Sequence, residues 1–163
     1  MRAGVLCSEF RDGILLCGYE GTDTMNNQDE ERGTIFLVEE DDDVRPNLRR
    51  NLRKYGFRVL LAVDEEDALD RVGDGVVPAD LVLLDLIGKS TDEVLQIGRR
   101  IHEHAKYDGH TPLVVLAEKY GADVEGTDVN VGGNDWITYL EDHDQLKRLL
   151  ARLLTKTAGE EAA

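Results

Sequence analysis

The sequence predicts an α/β fold in which helices cover both faces of a parallel sheet. Five short apolar segments, rich in Val, Ile and Leu, recur between Thr34 and Lys156, and such runs are typical of strands buried on both faces. Segments with apolar residues at helical spacing lie between them. Strands that alternate with helices pair in parallel, because each helical crossover returns the chain to the same end of the sheet.

Two strands and two helices are predicted in the first half of this segment. The strands are Thr34–Glu39 and Phe57–Val63. The helix between them has its apolar residues at Val44, Leu48, Leu52 and Tyr55. Asp64 and Asp67 have the spacing of a capping box, which predicts a second helix directly after the second strand.

The second half continues the alternation. Strands are predicted at Asp80–Leu86, Pro112–Ala117 and Trp136–Tyr139. Ser90 and Glu93 form a second capping box, which predicts a helix after the third strand. Asp142 with Gln145 is predicted to cap the last helix, which has an apolar stripe made of Leu146, Leu149, Leu150, Leu153 and Leu154.

Residues 118–135 interrupt this pattern. They contain four glycines and several Asp and Asn residues, which favour turns over helix. The helix expected between the fourth and fifth strands should therefore be distorted or missing. With that exception, the elements predict a doubly wound, five-stranded parallel sheet with the flavodoxin-like strand order 2-1-3-4-5.

Composition restricts the possible partners. The formal net charge is −15, whereas proteins that bind nucleic acids or anionic membranes present positive surfaces, so we expect neither partner. No apolar run approaches the roughly 20 residues of a membrane-spanning helix. Cys7 and Cys17 are too few for a disulfide framework or a zinc site. These features predict a cytoplasmic protein.

Three segments are predicted along the chain. Residues 1–33 form an extension that we expect to be disordered, since residues 26–33 contain no apolar residue. Residues 34–156 form the folded domain, and residues 157–163 form a flexible tail. Met25 offers an alternative start of the chain, in which case the residues before it are a mis-assigned extension.

Acidic residues follow two of the predicted strands. Glu39 and Glu40 close the first strand, and Asp85 lies near the end of the third. In a sheet of this order, the ends of the first and third strands flank the point where the strand order reverses, and ligands bind there. Gathered carboxylates repel one another unless a cation neutralises them, and Mg²⁺ bound to carboxylate, water and backbone oxygen is suited to that task.

The same segments resemble the receiver domains of response regulators. The run IFLVEEDDDVRPNLRRNLRKYGFRVLLAVDEEDAL is similar to the first half of a receiver, DLVLLDL to its phosphoacceptor strand, and GGNDWITYLEDHDQLKRLLARLL to its last strand and helix. The resemblance covers about residues 34–156. It implies a single-domain phosphorelay protein that is not an enzyme and has no output domain.

The resemblance also assigns roles to individual residues. Glu39 and Glu40 match the family's acidic pair, and Asp85 matches the aspartate that is phosphorylated. The backbone carbonyl of Ile87 matches the third protein ligand of magnesium. The implied metal site therefore consists of Glu39, Glu40, Asp85 and Ile87.

Of the family's three switch positions, two carry residues that differ from the family pattern and one matches it. Ala117 stands where the family has Thr or Ser, and Tyr139 stands where it has a Lys that pairs with the phosphoryl group. Trp136 falls at the aromatic switch position, and we expect it near the acidic site. Without a hydroxyl at 117 and a positive charge at 139, a phosphoryl group on Asp85 would lose two of its hydrogen bonds.

Three functions follow from these observations. In the first, Asp85 is phosphorylated with Mg²⁺ by a sensor histidine kinase or phosphotransfer protein, and the domain signals to a downstream effector protein. In the second, the chain is a pseudo-receiver that binds proteins without phosphorylation. In the third, it is a small Mg²⁺-dependent phosphotransfer or hydrolytic enzyme, for which the sequence offers no general base. A homodimer is possible in each case.

Overall fold

The computed structural model describes residues 31–75 and 77–161, with side chains as far as residue 155. The expected disorder of residues 1–30 falls outside this part of the chain. The strands are β1 (Thr34–Glu39), β2 (Arg58–Ala62), β3 (Leu81–Asp85), β4 (Leu113–Leu116), β5 (Thr127–Gly132) and β6 (Asp135–Tyr139). The helices are α1 (Arg45–Lys54), α2 (Glu65–Gly73), α3 (Thr91–Ala105) and α4 (His143–Glu161).

The strands form one sheet in the order β2-β1-β3-β4-β6-β5. All neighbouring pairs are parallel except β5 with β6, which is antiparallel. The five predicted strands thus have the predicted order, and the doubly wound flavodoxin-like fold is confirmed. The prediction of five strands omitted one, because β5 adds a sixth strand at the edge of the sheet.

The segment 118–135 contains the added strand in place of a helix. Glycines at positive φ shape it: Gly126 (φ +83°) precedes β5, and Gly133 (φ +56°) lies in the two-residue turn between β5 and β6. In β6, the hydroxyl of the buried Thr138 donates to the Asp128 carboxylate of β5 at 2.7 Å. Gln145 of α4 donates to the same carboxylate at 2.9 Å. The hairpin is therefore attached to the last helix as well as to the sheet.

The sheet separates two apolar clusters, as expected for helices on both faces. Alternate residues of β1 and β3, such as Ile35 and Leu83, pack with the leucines of α1 and α4. The residues between them, such as Phe36 and Leu84, pack with α2 and α3. This alternation fixes the direction in which the side chains at the strand ends point.

Three predicted helix starts are confirmed by their hydrogen bonds. Asp64 accepts from the Asp67 amide at 2.8 Å, and Ser90 and Glu93 form a reciprocal capping box. Asp142 accepts from the Gln145 amide at 2.8 Å. No helix in the described part of the chain is long and apolar enough to cross a membrane.

Candidate functional site

Glu39 and Asp85 lie side by side at the end of the sheet. Each is the last residue of its strand, and the parallel register pairs them directly. Ile35 and Leu37 of β1 belong to the same cluster as Leu81 and Leu83 of β3. Because side chains alternate along a strand, Glu39 and Asp85 project from that same face. The predicted meeting of the first and third strand ends is observed in the structure.

Glu39 is a buried carboxyl group, only 1% exposed. One of its oxygens, Oε1, accepts a hydrogen bond from the Asp41 amide at 2.8 Å. The other, Oε2, is buried and has no hydrogen-bond partner among the described residues. Burial, followed by the negative charge of Asp85, raises the pKa of Glu39 to about 8. At neutral pH and without a cation, this carboxyl group therefore tends to keep its proton.

Asp85 is half-buried beside it. Burial raises the pKa of Asp85, and the negative charges of Asp41 and Glu118 act in the same direction, whereas the neighbouring Glu39 carboxyl group lowers it. The two neighbouring carboxyl groups thus disfavour carrying two negative charges at once. A positive charge at this point would weaken the repulsion between the Glu39 and Asp85 carboxylates. It would also give Oε2 of Glu39, which has no partner among the described residues, an atom to bind.

Glu40 has a different environment from Glu39. Its Oε1 atom lies 3.0 Å from the ammonium nitrogen of Lys89, and its Oε2 atom accepts from the Ile87 amide at 2.9 Å. The backbone amide of Glu40 donates to the carbonyl of Asp85 at 3.3 Å. The side chain of Glu40 therefore ties the end of β1 to the loop that follows β3.

Two residues that the sequence analysis did not assign complete this edge. The guanidinium group of Arg45 donates to the backbone carbonyls of Glu39 (2.8 Å) and Glu40 (2.9 Å) and thereby holds the turn after β1. Glu118 accepts from the Gly88 amide at 2.7 Å. Glu118 comes soon after the end of β4, so the rule that located Asp85 could also have located it.

The switch positions lie in two different places. Ala117 follows β4 and Tyr139 ends β6, and both pack against the cluster on the α2 and α3 face. Tyr139 also contacts Tyr120 edge to face, with ring centroids 5.4 Å apart. Trp136 pairs with Val114 near the start of β6 and packs on the other face, where the guanidinium carbon of Arg152 lies 5.1 Å from its ring centroid. The register sets Trp136 level with Leu83 of β3, two strands away and two residues before the strand end that carries Asp85. The expectation that Trp136 lies near the acidic site stays a prediction.

The carboxylates fit a magnesium site only in part. Mg²⁺ commonly takes one or two protein carboxylates and keeps several waters, and the Glu39–Asp85 pair with its unpartnered oxygen matches that need. In the described part of the chain, no group of three or more His, Cys, Asp or Glu side chains is arranged to hold a metal ion. Glu40 is engaged with Lys89 and Ile87 instead.

Fold and site together define a doubly wound α/β domain with acidic side chains at its topological switch point. No protein-family profile matches the chain. Among curated proteins, it is 30% identical over 125 residues to the uncharacterized transcriptional regulatory protein YkoG of Bacillus subtilis (strain 168), covering 76% of this chain and 50% of that protein. It is 31% identical over 132 residues to the response regulator MprA of Mycobacterium bovis (strain BCG / Pasteur 1173P2), covering 79% of this chain and 54% of MprA. The chain thus spans about half the length of these relatives.

Receiver domains are among the solved structures of similar fold. The receiver domain of the hybrid histidine kinase CckA has a TM-score of 0.51 and 25% identity, over 75% of this chain and 99% of that one. The receiver domain of the sensor histidine kinase PA1611 of Pseudomonas aeruginosa, which has a magnesium ion in its active-site cleft, has a TM-score of 0.53 and 22% identity, over 76% and 98%. A CheY-like receiver of Methanospirillum hungatei has a TM-score of 0.58 and 14% identity, over 78% and 97%. The chain belongs to the receiver domains of two-component signalling.

Proposed function

We propose that Asp85 accepts a phosphoryl group in a phosphorelay, with Mg²⁺ held by Glu39, Glu40, Asp85 and the backbone carbonyl of Ile87. One observation carries the proposal. The buried Glu39 carboxyl group lies directly beside Asp85 at the switch point of the sheet, and one of its oxygens has no hydrogen-bond partner among the residues that the structure describes. Such a pair is costly to keep in an apolar core, and a bound cation compensates for that cost.

The proposed chemistry is nucleophilic substitution at phosphorus. A carboxylate oxygen of Asp85 forms a bond to the phosphorus atom, and the bond between phosphorus and the donor group breaks, which gives an acyl phosphate and the free donor. Magnesium, when bound, supplies positive charge to the carboxylates and the phosphoryl oxygens. Glu39 supplies a second carboxylate beside Asp85 for the cation. The hydrogen bonds of Arg45 hold the turn after β1 in place.

The proposed partners follow from this role. A sensor histidine kinase or a phosphotransfer protein would supply the phosphoryl group, and a downstream effector protein would recognise the phosphorylated domain. Ala117, Trp136 and Tyr139 are the proposed switch positions. Because Ala117 lacks a hydroxyl and Tyr139 lacks a positive charge, the response to phosphorylation would be transmitted by a modified set of contacts. In this role the domain acts as a signalling module without substrate turnover.

The test is labelling of the full chain by acetyl phosphate in the presence of Mg²⁺, followed by intact mass spectrometry. We expect the mass of one phosphoryl group to be added to the wild type and to be absent from Asp85→Asn. Asp92→Asn, in the exposed first turn of α3, is the matched control and should label normally. Labelling that persists in Asp85→Asn would refute the assignment of the acceptor.

A second function is favoured by the residues at 117 and 139. Ala117 has no hydroxyl, and Tyr139 offers a neutral hydroxyl in place of a positive charge, so on this second proposal the fold serves protein binding alone. This pseudo-receiver function predicts that the wild type does not label with acetyl phosphate at any Mg²⁺ concentration. The labelling experiment therefore separates the two proposals.

A further inference from the structure

Lys89 is the positively charged side chain that contacts the acidic site. Its ammonium nitrogen lies 3.0 Å from Oε1 and 3.4 Å from Oε2 of Glu40. The ion pair is sheltered, with Lys89 30% and Glu40 22% exposed. In the described part of the chain, no other ammonium or guanidinium group contacts the carboxylates of Glu39, Glu40 or Asp85.

Both carboxylate oxygens of Glu40 already have hydrogen-bond partners. Oε1 bonds Lys89, and Oε2 bonds the Ile87 amide. A carboxylate oxygen that approaches a small divalent cation must exchange its earlier partners for the metal. An ammonium group also repels a divalent cation that lies within a few ångströms. Lys89 therefore opposes the entry of a cation beside Glu40 in two ways.

We propose that Lys89 is a built-in counter-ion that competes with the divalent cation for Glu40. The inference rests on the proposed magnesium site and names its regulation. In the metal-free protein, Lys89 neutralises Glu40 and links the loop after β3 to the end of β1. When the cation binds, Lys89 leaves Glu40, and the loop at residues 87–89 loses this connection. Metal binding is thereby coupled to the loop that precedes the Ser90 cap of α3.

The test is isothermal titration calorimetry of the full chain with MgCl₂ alone, for the wild type, Lys89→Met and Lys119→Met. The Met side chain keeps most of the apolar stem and removes the charge. Lys119 lies exposed after β4. Lys119→Met changes the net charge by the same amount as Lys89→Met but leaves the Lys89–Glu40 ion pair intact. We expect Lys89→Met to bind Mg²⁺ roughly tenfold more tightly, which corresponds to about 1.4 kcal/mol, and Lys119→Met to change the affinity less than twofold.

A second measurement follows the displacement itself. In the wild type, NMR signals of the Lys89 side chain should move towards those of a solvated lysine as Mg²⁺ is added, while those of Lys119 stay unchanged. Lys89→Gln replaces Lys89→Met if the latter fails to fold, as judged by its urea unfolding midpoint. A Mg²⁺ affinity that is unchanged or weaker in the charge-removing variant would overturn the proposal, as would the absence of Mg²⁺ binding in both proteins.

The outcomes for Lys89 and for Asp85 are distinguishable. If Lys89→Met gains Mg²⁺ affinity but the wild type never labels at Asp85, the counter-ion role stands and the phosphorelay function fails. If the wild type labels at Asp85 but Lys89→Met shows no gain, the phosphorelay function stands and the counter-ion role fails. Calorimetry measures the metal alone, so neither result depends on the other.

Discussion

Replacement of Glu39 by Gln tests the central physical feature of the site, a buried acid beside a second acid. The folded-state pKa of Glu39 is about 8, compared with an ordinary value of 4.5. The folded protein therefore binds more protons than the unfolded chain between these two pH values. By linkage, the free energy of unfolding falls as the pH rises from 4.5 to about 8. The contribution of the protonated Glu39 to stability is fully present only below about pH 4.5.

The size of the effect follows from the shift. At about 1.36 kcal/mol per pKa unit, the change from 4.5 to about 8 corresponds to at most about 5 kcal/mol. Solvent beside the half-buried Asp85 screens part of this interaction, so we expect roughly half of that bound, about 2 kcal/mol. Gln has nearly the same shape, and its carbonyl can still accept from the Asp41 amide, but it carries no charge.

The assay is urea unfolding of the full chain between pH 5 and pH 8 in metal-free buffer. The wild type should lose about 2 kcal/mol more than Glu39→Gln over this range. Glu66→Gln, at an exposed position of α2, should follow the wild type. Parallel pH dependences for the wild type and Glu39→Gln would refute the reasoning. Added Mg²⁺ should reduce the loss in the wild type, because the cation replaces the proton.

Two further predictions concern the framework of the site. A Cβ atom at Gly98 would lie 2.5 Å from a methyl carbon of Leu113 and 2.9 Å from one of Leu84, so Gly98→Ala should lower the free energy of unfolding by about 1 kcal/mol despite better helix propensity. Gly73→Ala, which meets nothing within 4 Å, should leave it unchanged or raise it slightly in the same urea titration. Thr138→Val removes the hydroxyl that donates to Asp128 and should cost about 1 to 2 kcal/mol. Amide hydrogen exchange should quicken in β5 first, and uniform exchange throughout the sheet would contradict the role assigned to this hydrogen bond.

The positions of the strand ends predicted part of the acidic site but not all of its contacts. Glu39 and Asp85 were predicted to meet because each follows a buried strand, and parallel strands bring such ends to one edge. The Lys89–Glu40 pair and the Arg45 hydrogen bonds were not predicted, since long side chains in loops choose partners according to the surrounding backbone. The position of Trp136 relative to Asp85 was not predicted in detail for a related reason, because it depends on the register of three strands.

The segment 118–135 shows the corresponding limit for the fold. Its glycines predicted the loss of a helix, which is a local property of the backbone. The alternation of polar and apolar residues in Thr127–Gly132 is itself a strand signal, but a strand forms only where a partner edge is free. That edge belongs to β6, which the sequence cannot show to be unpaired.

Sequence patterns predicted five of the six described strands, the capped helices, the order of those five strands and the acidic character of one edge. The strands and caps follow from periodicity and hydrogen bonds among neighbouring residues. The strand order follows from the doubly wound pattern of alternating strands and helices. The tertiary structure decided the sixth strand, the burial that raises the pKa of Glu39 and the pairing of Glu40 with Lys89. Each of these depends on contacts between residues far apart in the chain, whose energies are set only once the elements are packed.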